Sequence, residues 1–496
     1  MSFLSAKDQI SVMRVCQHLR AHVIDAPRVW THVDQIGNPT ALLFVLERAK
    51  NIPVDITNLS VENADDVRFE TVAAHMHHIR TLGLDLGQSF GIFRTESRAH
   101  IAFTTTAPLL QLLSFCGRQF VTSNQPLAAT SNFSISESTM PRLSSFELRG
   151  VELTTVLLQK IQSLSTFSFS GGENFQHGQG SMAMCASRFL HNLTTINLEL
   201  SGWNTAAGYP ELGPAVKQIN IRWTKPSFFM SREAIPNQAA WKSIRTVRVA
   251  HMCDSPGKPP EYDWDRLRDH YGIPETAVPY QSLSFRALGA SDRRVHVRAI
   301  DRDGRERIVC GLHPSTVENL VTHISKKELS TITITTTALI LQALASVHLP
   351  ALRCIRIVVD TSKIRSLVYA MPNISKLERL EFSQEVDSAA SEWTTTVITR
   401  TISRFVAAAI CLQEVVFLGF SPEPQCVTLA GMFSQRVVVD PNWQEPKSER
   451  EWFTEPPFKW DCMAANLDVL SIFPSRHAEF GLGSFPVGTD DRKMGE

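Results

Sequence analysis

The chain lacks an excess of charge of either sign. Lysine plus arginine and aspartate plus glutamate each total 49, so the formal net charge is zero. Without a cationic surplus there is no general drive toward phosphate backbones, which argues against a nucleic-acid partner. No apolar run is long enough to span a bilayer as a helix, which argues against a membrane-spanning role. The first residues lack the basic-then-apolar order of a secretory signal. The nine cysteines (16, 116, 185, 253, 310, 354, 411, 426 and 462) include no CxxC pair and are odd in number, unlike a disulfide framework. Such scattered thiols fit a reducing compartment, so the expected location is cytoplasmic or nuclear. No G-x-S-x-G, P-loop or H-E-x-x-H occurs either. The chain is therefore not expected to be an enzyme or to carry a cofactor.

Local clusters of reactive residues do not reverse that expectation. His75-Met76-His77-His78 is the densest group of imidazoles, but its separations of two and three residues do not put ligands on one helical face. Asp301-Arg302-Asp303-Gly304 begins like a calcium loop, yet Arg305 and Arg307 stand where oxygen ligands belong. A hairpin turn is the better reading. No metal site is expected. His251, Cys253 and Asp254 bring an imidazole, a thiol and a carboxylate together, the basis for a remote alternative of a Cys/His-dependent hydrolase. A nucleophile usually takes its base from a distant part of the chain, so adjacency is weak support. Gly171-Gly172 with Gly178 and Gly180 reads as a loop, without the Lys-Ser/Thr that would hold phosphates.

What the chain does contain is apolar spacing. At its start, Ser5 or Asp8 can cap a helix on which Val12, Val15, Cys16, Leu19 and Val23 share one face. Pro27 ends that helix and Trp30 follows. Asn38-Pro39 marks a turn, Thr40 to Lys50 reads as a second helix with Leu42, Leu43, Val45 and Leu46 inward, and Pro53 to Ile56 as a short strand.

The order Val15-Cys16, Leu19-Arg20, Pro27 and Trp30 resembles the second half of an F-box, the helical module that docks substrate adaptors onto cullin-type ubiquitin ligases. The module's opening Leu-Pro and apolar helix would precede Met1. The following segment, NPTALLFVLERAKNIPVDI, is similar to the one after the F-box in mushroom-type (basidiomycete) fungal F-box proteins, and the likeness extends to about residue 86. Phe3, Leu4, Ile10, Val15, Cys16, Leu19 and Trp30 match the module's positions. The resemblance implies contact between these residues and a Skp-type adaptor subunit, and through it the cullin complex. They are equally explicable as a core against Leu42 and Leu46.

From Ile79 onward one spacing recurs: an apolar residue, two others, then two apolar residues with one between. It appears at Ile79/Leu82/Leu84, Leu110/Leu113/Phe115, Leu143/Phe146/Leu148, Leu164/Phe167/Phe169, Leu193/Ile196/Leu198 and Val216/Ile219/Ile221. It continues at Ile244/Val247/Val249, Tyr280/Leu283/Phe285, Leu329/Ile332/Ile334, Leu352/Ile355/Ile357, Leu377/Leu380/Phe382 and Leu412/Val415/Phe417. The starts lie 21 to 36 residues apart except for the 49 from Tyr280 to Leu329. Thr154–Ser163, Ser181–Asn192, Thr337–His348 and Ile402–Leu412 read as intervening helices. This is the strand rhythm of a leucine-rich repeat. The long interval holds two alternating runs around Asp301–Gly304, a hairpin inserted near 293–310. Asp254–Asp265 reads as a Pro-rich loop.

The expected fold is therefore α/β: an irregular leucine-rich-repeat solenoid of parallel strands alternating with helices, preceded by a small helical F-box-like segment. Its parts are 1–36, the partial F-box; 37–78, connecting helices and a short strand; 79–439, the array; and 440–496, an irregular tail or cap. Residues between the strand apolars point outward along one sheet face, either solvated or used for recognition. Arg222, Arg248 and Arg286, on three successive strands with Trp223 alongside, are the candidate partner surface. The expected function is non-catalytic, that of a substrate-recognition adaptor holding an unidentified protein target. The alternative is a repeat-based binding or scaffold protein without ligase docking, for want of the first F-box helix.

Overall fold

The computed structural model describes residues 21, 23–34, 36, 38–86, 97–117, 127–128, 135–152, 162–170, 190–200, 212–223, 243–251, 280–287, 295–312, 314–323, 328–335, 348–359, 376–384, 392–407 and 412–444. All belong to one compact unit, Met1–Phe458. The opening helix through Arg20, the 254–265 and 171–180 loops, the first three intervening helices and the chain beyond Gln444 lie outside the described residues.

In every one of the twelve spacings the last two apolar residues lie on a strand. In chain order the strands are β1 (His32–Asp34), β2 (Val54–Val61), β3 (Ile79–Leu86), β4 (Leu112–Gly117), β5 (Leu127–Ala128), β6 (Ser145–Arg149), β7 (Val151–Glu152), β8 (Thr166–Ser170), β9 (Thr195–Leu200) and β10 (Gln218–Trp223). They continue as β11 (Thr246–His251), β12 (Tyr280–Ala287), β13 (Val295–Asp301), β14 (Glu306–Leu312), β15 (Thr331–Thr335), β16 (Cys354–Val359), β17 (Arg379–Gln384), β18 (Leu412–Leu418) and β19 (Ser434–Asp440). The helices among the described residues include α1 (Pro39–Ala49), α2 (Arg68–His75), α3 (Arg98–Thr104), α4 (Pro314–His323), α5 (Glu392–Ala407) and α6 (Pro424–Phe433). Among the described residues seventeen strands make one open sheet, and β5 pairs with β7 separately.

Pairing follows chain order from β1 through β4, β6, β8, β9 and β10 to β11, all parallel, and again from β15 to β19. Among the described residues the sheet therefore begins at β1 and β2, well before Ile79, and extends one strand beyond Phe417. Several units close in the same way. A turn precedes the strand, with the amides of Leu110, Leu143, Leu193 and Leu352 donating to the carbonyls of Ala107, Met140, Leu190 and Leu349. One carbonyl then takes two consecutive amides of the next unit: Gln111 from Ser144 and Ser145, Ser144 from Ser165 and Thr166, Ser165 from Thr194 and Thr195. The Ser165 and Thr194 hydroxyls add a third donor, at 3.0 and 3.1 Å.

The inserted hairpin is present, and it changes the strand order. β12, β13 and β14 form an antiparallel meander, β14 is parallel to β11, and β12 is parallel to β15. The local order is thus β11, β14, β13, β12, β15. Arg286 on β12 is consequently not on the strand next to Arg248 on β11, as the sequence rhythm implied: two hairpin strands stand between. Helix α4, with Val317, Leu320 and Val321 buried, packs against β13 on the way to β15.

The core lies on one face. Leu82, Leu84, Leu113, Phe115, Phe146, Leu148, Phe167, Phe169 and their counterparts in later strands are buried there with the inward sides of the helices. Phe69, Phe103, Phe115, Phe146 and Phe167 form a column with ring centroids 5.5 to 6.4 Å apart. Each buried phenylalanine removes enough apolar surface from water to contribute about 2 kcal/mol or more. The fourth intervening helix is displaced from its expected span: α5 covers Glu392–Ala407, not Ile402–Leu412. Its Thr-rich start has a weak helical preference, but Ile398 and Ile402, four apart, are both buried, and that packing overrides propensity.

Candidate functional site

Successive strand side chains alternate between faces, so the residues between the core apolars share the opposite face. Register puts Ser114, Glu147, Ser168, Asn197, Asn220 and Arg248 in one row across six strands. The row runs on through Ile308, Arg298, Ser284, Thr333, Arg356 and Glu381. The expectation of outward pointing holds for direction and fails for solvation. Ser114, Glu147, Ser168, Asn220, Ser284, Thr333 and Glu381 are buried, as are Asp85 and Glu199 beside them. Neighbouring strands lie about 4.8 Å apart, so short polar side chains are shielded by the longer ones flanking them.

This buried polar layer has three parts. Between β8 and β10 it is an amide ladder: Asn197 Nδ2 donates to Ser168 Oγ at 3.0 Å, Asn220 Nδ2 to Asn197 Oδ1 at 2.6 Å, and Gln218 Nε2 to Asn220 Oδ1 at 3.2 Å. From β16 to β19 it is an ion-pair ladder. Glu381 accepts from Arg356 and Arg379 at 2.6 and 2.7 Å, and Glu414 meets Arg379 at 2.7 Å and Arg436 at 3.7 Å. Trp443, just past β19, places its ring 5.4 Å from the Arg356 guanidinium.

The arginine group lies between these ladders. Arg222 and Arg248 are partly buried on adjacent strands, and Arg286 is only 2% exposed on β12. Trp223 ends β10 as a backbone position, its side chain lying outside the described set. The hairpin adds two basic residues the sequence reading did not include, His296 and Arg298, both buried. His296 is opposite Arg286, and Arg298 donates to Glu306 at 2.6 Å. Their signal was available in the alternation of Val295-His296-Val297-Arg298, which puts His296 and Arg298 on one face once the run is a strand. The group thus holds four guanidiniums and an imidazole beside Glu199 and Glu306. Guanidiniums favour planar, paired contacts with carboxylates or phosphates.

Other sequence candidates fall elsewhere. Phe3, Leu4, Ile10, Val15, Cys16 and Leu19 lie outside the described residues. Trp30 is fully buried in the chain's own core: Nε1 donates to the Val23 carbonyl at 3.0 Å, and the ring meets Phe44 of α1 edge-on at 5.7 Å. His251 ends β11, while Cys253 and Asp254 lie outside the described residues. Burial pushes the Cys310 and Cys354 thiols up to about 12, which keeps both protonated at neutral pH. The rings of His75, His77 and His78 stack on one another, and among the described residues no group of three or more His, Cys, Asp or Glu is arranged to hold a metal. No helix among the described residues is long and apolar enough to cross a membrane. Neither a protein-family model nor a curated protein sequence matches the chain.

Proposed function

We propose that this chain is a non-catalytic recognition subunit whose strands form an irregular leucine-rich-repeat solenoid, and that it serves as a substrate adaptor of an SCF-type ubiquitin ligase. The repeat reading rests on one observation above the others: parallel strands paired mostly in chain order, several of them entered through the same turn and a doubly bonded carbonyl. A repeat array of this kind holds a long, rigid sheet face with partly exposed arginines such as Arg222, Arg248 and Arg356, which suits protein recognition. The adaptor reading rests on the resemblance of residues 1–86 to F-box proteins. In this role the protein performs no bond chemistry. Its N-terminal segment holds a Skp-type subunit, and its array holds the target near a ubiquitin-charged enzyme, a gain from proximity alone.

The test is capture of a purified Skp-type subunit by the full chain. Binding is expected, and replacing Leu4 and Ile10 by Asp is expected to abolish it while leaving the unfolding midpoint unchanged. Absence of binding by the unaltered chain, under conditions where an intact F-box protein binds, defeats the ligase reading and leaves a repeat-based binding or scaffold protein.

A further inference from the structure

The last strand of the sheet carries information that the recognition reading does not use. β19, with the sequence Ser-Gln-Arg-Val-Val-Val-Asp, pairs on one side with β18 in unbroken parallel register. Among the described residues nothing pairs with its other side. Proteins commonly protect such an edge with proline, lysine, a bulge or an inward charge. Here three consecutive residues of its seven, Val437 to Val439, are uncharged and β-branched, and the register shows no bulge.

We propose that β19 is a self-association edge, along which two copies of this chain pair antiparallel about a two-fold axis through Val438. The main-chain directions permit this. Gly419 donates its amide to the Asp440 carbonyl, so Asp440 faces β18. Orientation alternates along a strand, so Val438 and Arg436 face β18 too, and Gln435, Val437 and Val439 turn their N–H and C=O groups outward. A two-fold through Val438 sets Val437 opposite Val439 of the second copy. Those are the residues with free outward groups, and they exchange both hydrogen bonds.

Charge selects the same centre. With the axis at Val438, Arg436 stands opposite Asp440 of the second copy, and symmetry repeats the pair. Both fall at non-hydrogen-bonded positions, where side chains approach most closely. A centre at Val437 instead sets Arg436 against Val438 and Asp440 against Ser434, with no opposed charges. The Arg436 side chain is 74% exposed and held to Glu414 at only 3.7 Å, so it can turn to a second copy. Val439 is 41% exposed, and Met432, on the helix leading into β19, is 70% exposed. Pairing extends this apolar margin across the axis, consistent with an isologous interface.

The experiment is sedimentation velocity on the full chain, with R436D and D440R prepared separately. The unaltered chain is expected to dimerise. Each variant alone carries four like charges at the junction, and its dissociation constant is expected to rise about tenfold or more. An equimolar mixture of the two variants restores opposite charges at both positions and is expected to return to dimer. This mixing result also excludes misfolding as the cause of either variant's behaviour. A monomeric unaltered chain overturns the proposal. So does a dimer that both variants leave unchanged, or variants whose mixture stays monomeric.

Discussion

His78 lies at the junction of α2 and β3, buried, with its ring centroid 4.7 Å from His77 and 5.2 Å from His75. Burial, and then the neighbouring charges of His77 and His75, push its imidazole down to about 4. His75 is also lowered, chiefly by burial and then by His77, with Glu47 opposing. An unfolded histidine titrates near its ordinary 6.5, so between about 6.5 and 4 the unfolded chain binds the proton and the folded chain does not. Stability is therefore full above pH 6.5, falls as the pH drops toward 4, and changes no further from this group below that. For His78 alone the loss approaches roughly 3 kcal/mol. Denaturant midpoints measured from pH 7 to 4 should show it, and His78→Leu should flatten the slope. An unchanged slope in that variant disproves the assignment. The sequence displayed the histidines and their unsuitable spacing for metal, but ring stacking and burial depend on how α2 meets β3. Gly83 teaches the same lesson. Between Ile56 and Leu59 β2 places two residues, Thr57 and Asn58, against Gly83 alone on β3, and a Cβ on Gly83 would collide with the Thr57 carbonyl. Only glycine fits beneath that bulge.

At the scale of elements, the hairpin was legible because its turn carries its own chemistry. Asp301 Oδ1 accepts from the amides of Asp303 and Arg305 at 2.8 and 2.9 Å, and Oδ2 from Arg305 Nε at 2.8 Å. Gly304 supplies the positive φ, 73°. Asp301→Ala removes three hydrogen bonds at a buried acceptor and should cost about 1–3 kcal/mol. Amide exchange should quicken at Val297 and Val309 before it does in β3 or β4; simultaneous quickening everywhere would contradict a local role. Other elements were less legible. β19 has only Val437 and Val439 on its core side, without the leading apolar residue of the recurring spacing, and so was passed over. Ser144, Ser165, Thr194 and Ser330 all follow a buried Leu and all bond back to the preceding unit. That hydroxyl was a usable signal of strand entry, and apolar counting alone did not detect it.

Across the whole molecule, most strands touch only their sequence neighbours, so cooperativity must pass from unit to unit. Phe382 of β17 stacks on Phe417 of β18 at 5.6 Å, and Phe417 meets Phe420 at 6.0 Å. Phe382→Ala opens a cavity in a fully buried site and should cost about 3–5 kcal/mol. The lost amide protection should concentrate in β16 to β18 and leave β3 to β6 near their original values. Equal loss along the sheet would show a single cooperative unit instead. The meander is the exception to neighbour order. The chain leaves β11, crosses three strand spacings of about 4.8 Å each to β12, then fills the gap with β13 and β14. That transposition carries Arg298 and His296 into the arginine group.

The sequence by itself determined where the strands of the recurring spacing lie, which side of each faces the core, the span of α1 and the hairpin turn. These follow from side-chain alternation, helix capping by Asn38 and turn stereochemistry, all set within a few residues. Only the tertiary structure decided that much of the polar face is buried, that two strands separate Arg248 from Arg286, that Trp30 is enclosed in the chain's own core, and that among the described residues nothing pairs with the outer edge of β19. Burial and strand order depend on which distant segments come together, and no local periodicity encodes that choice.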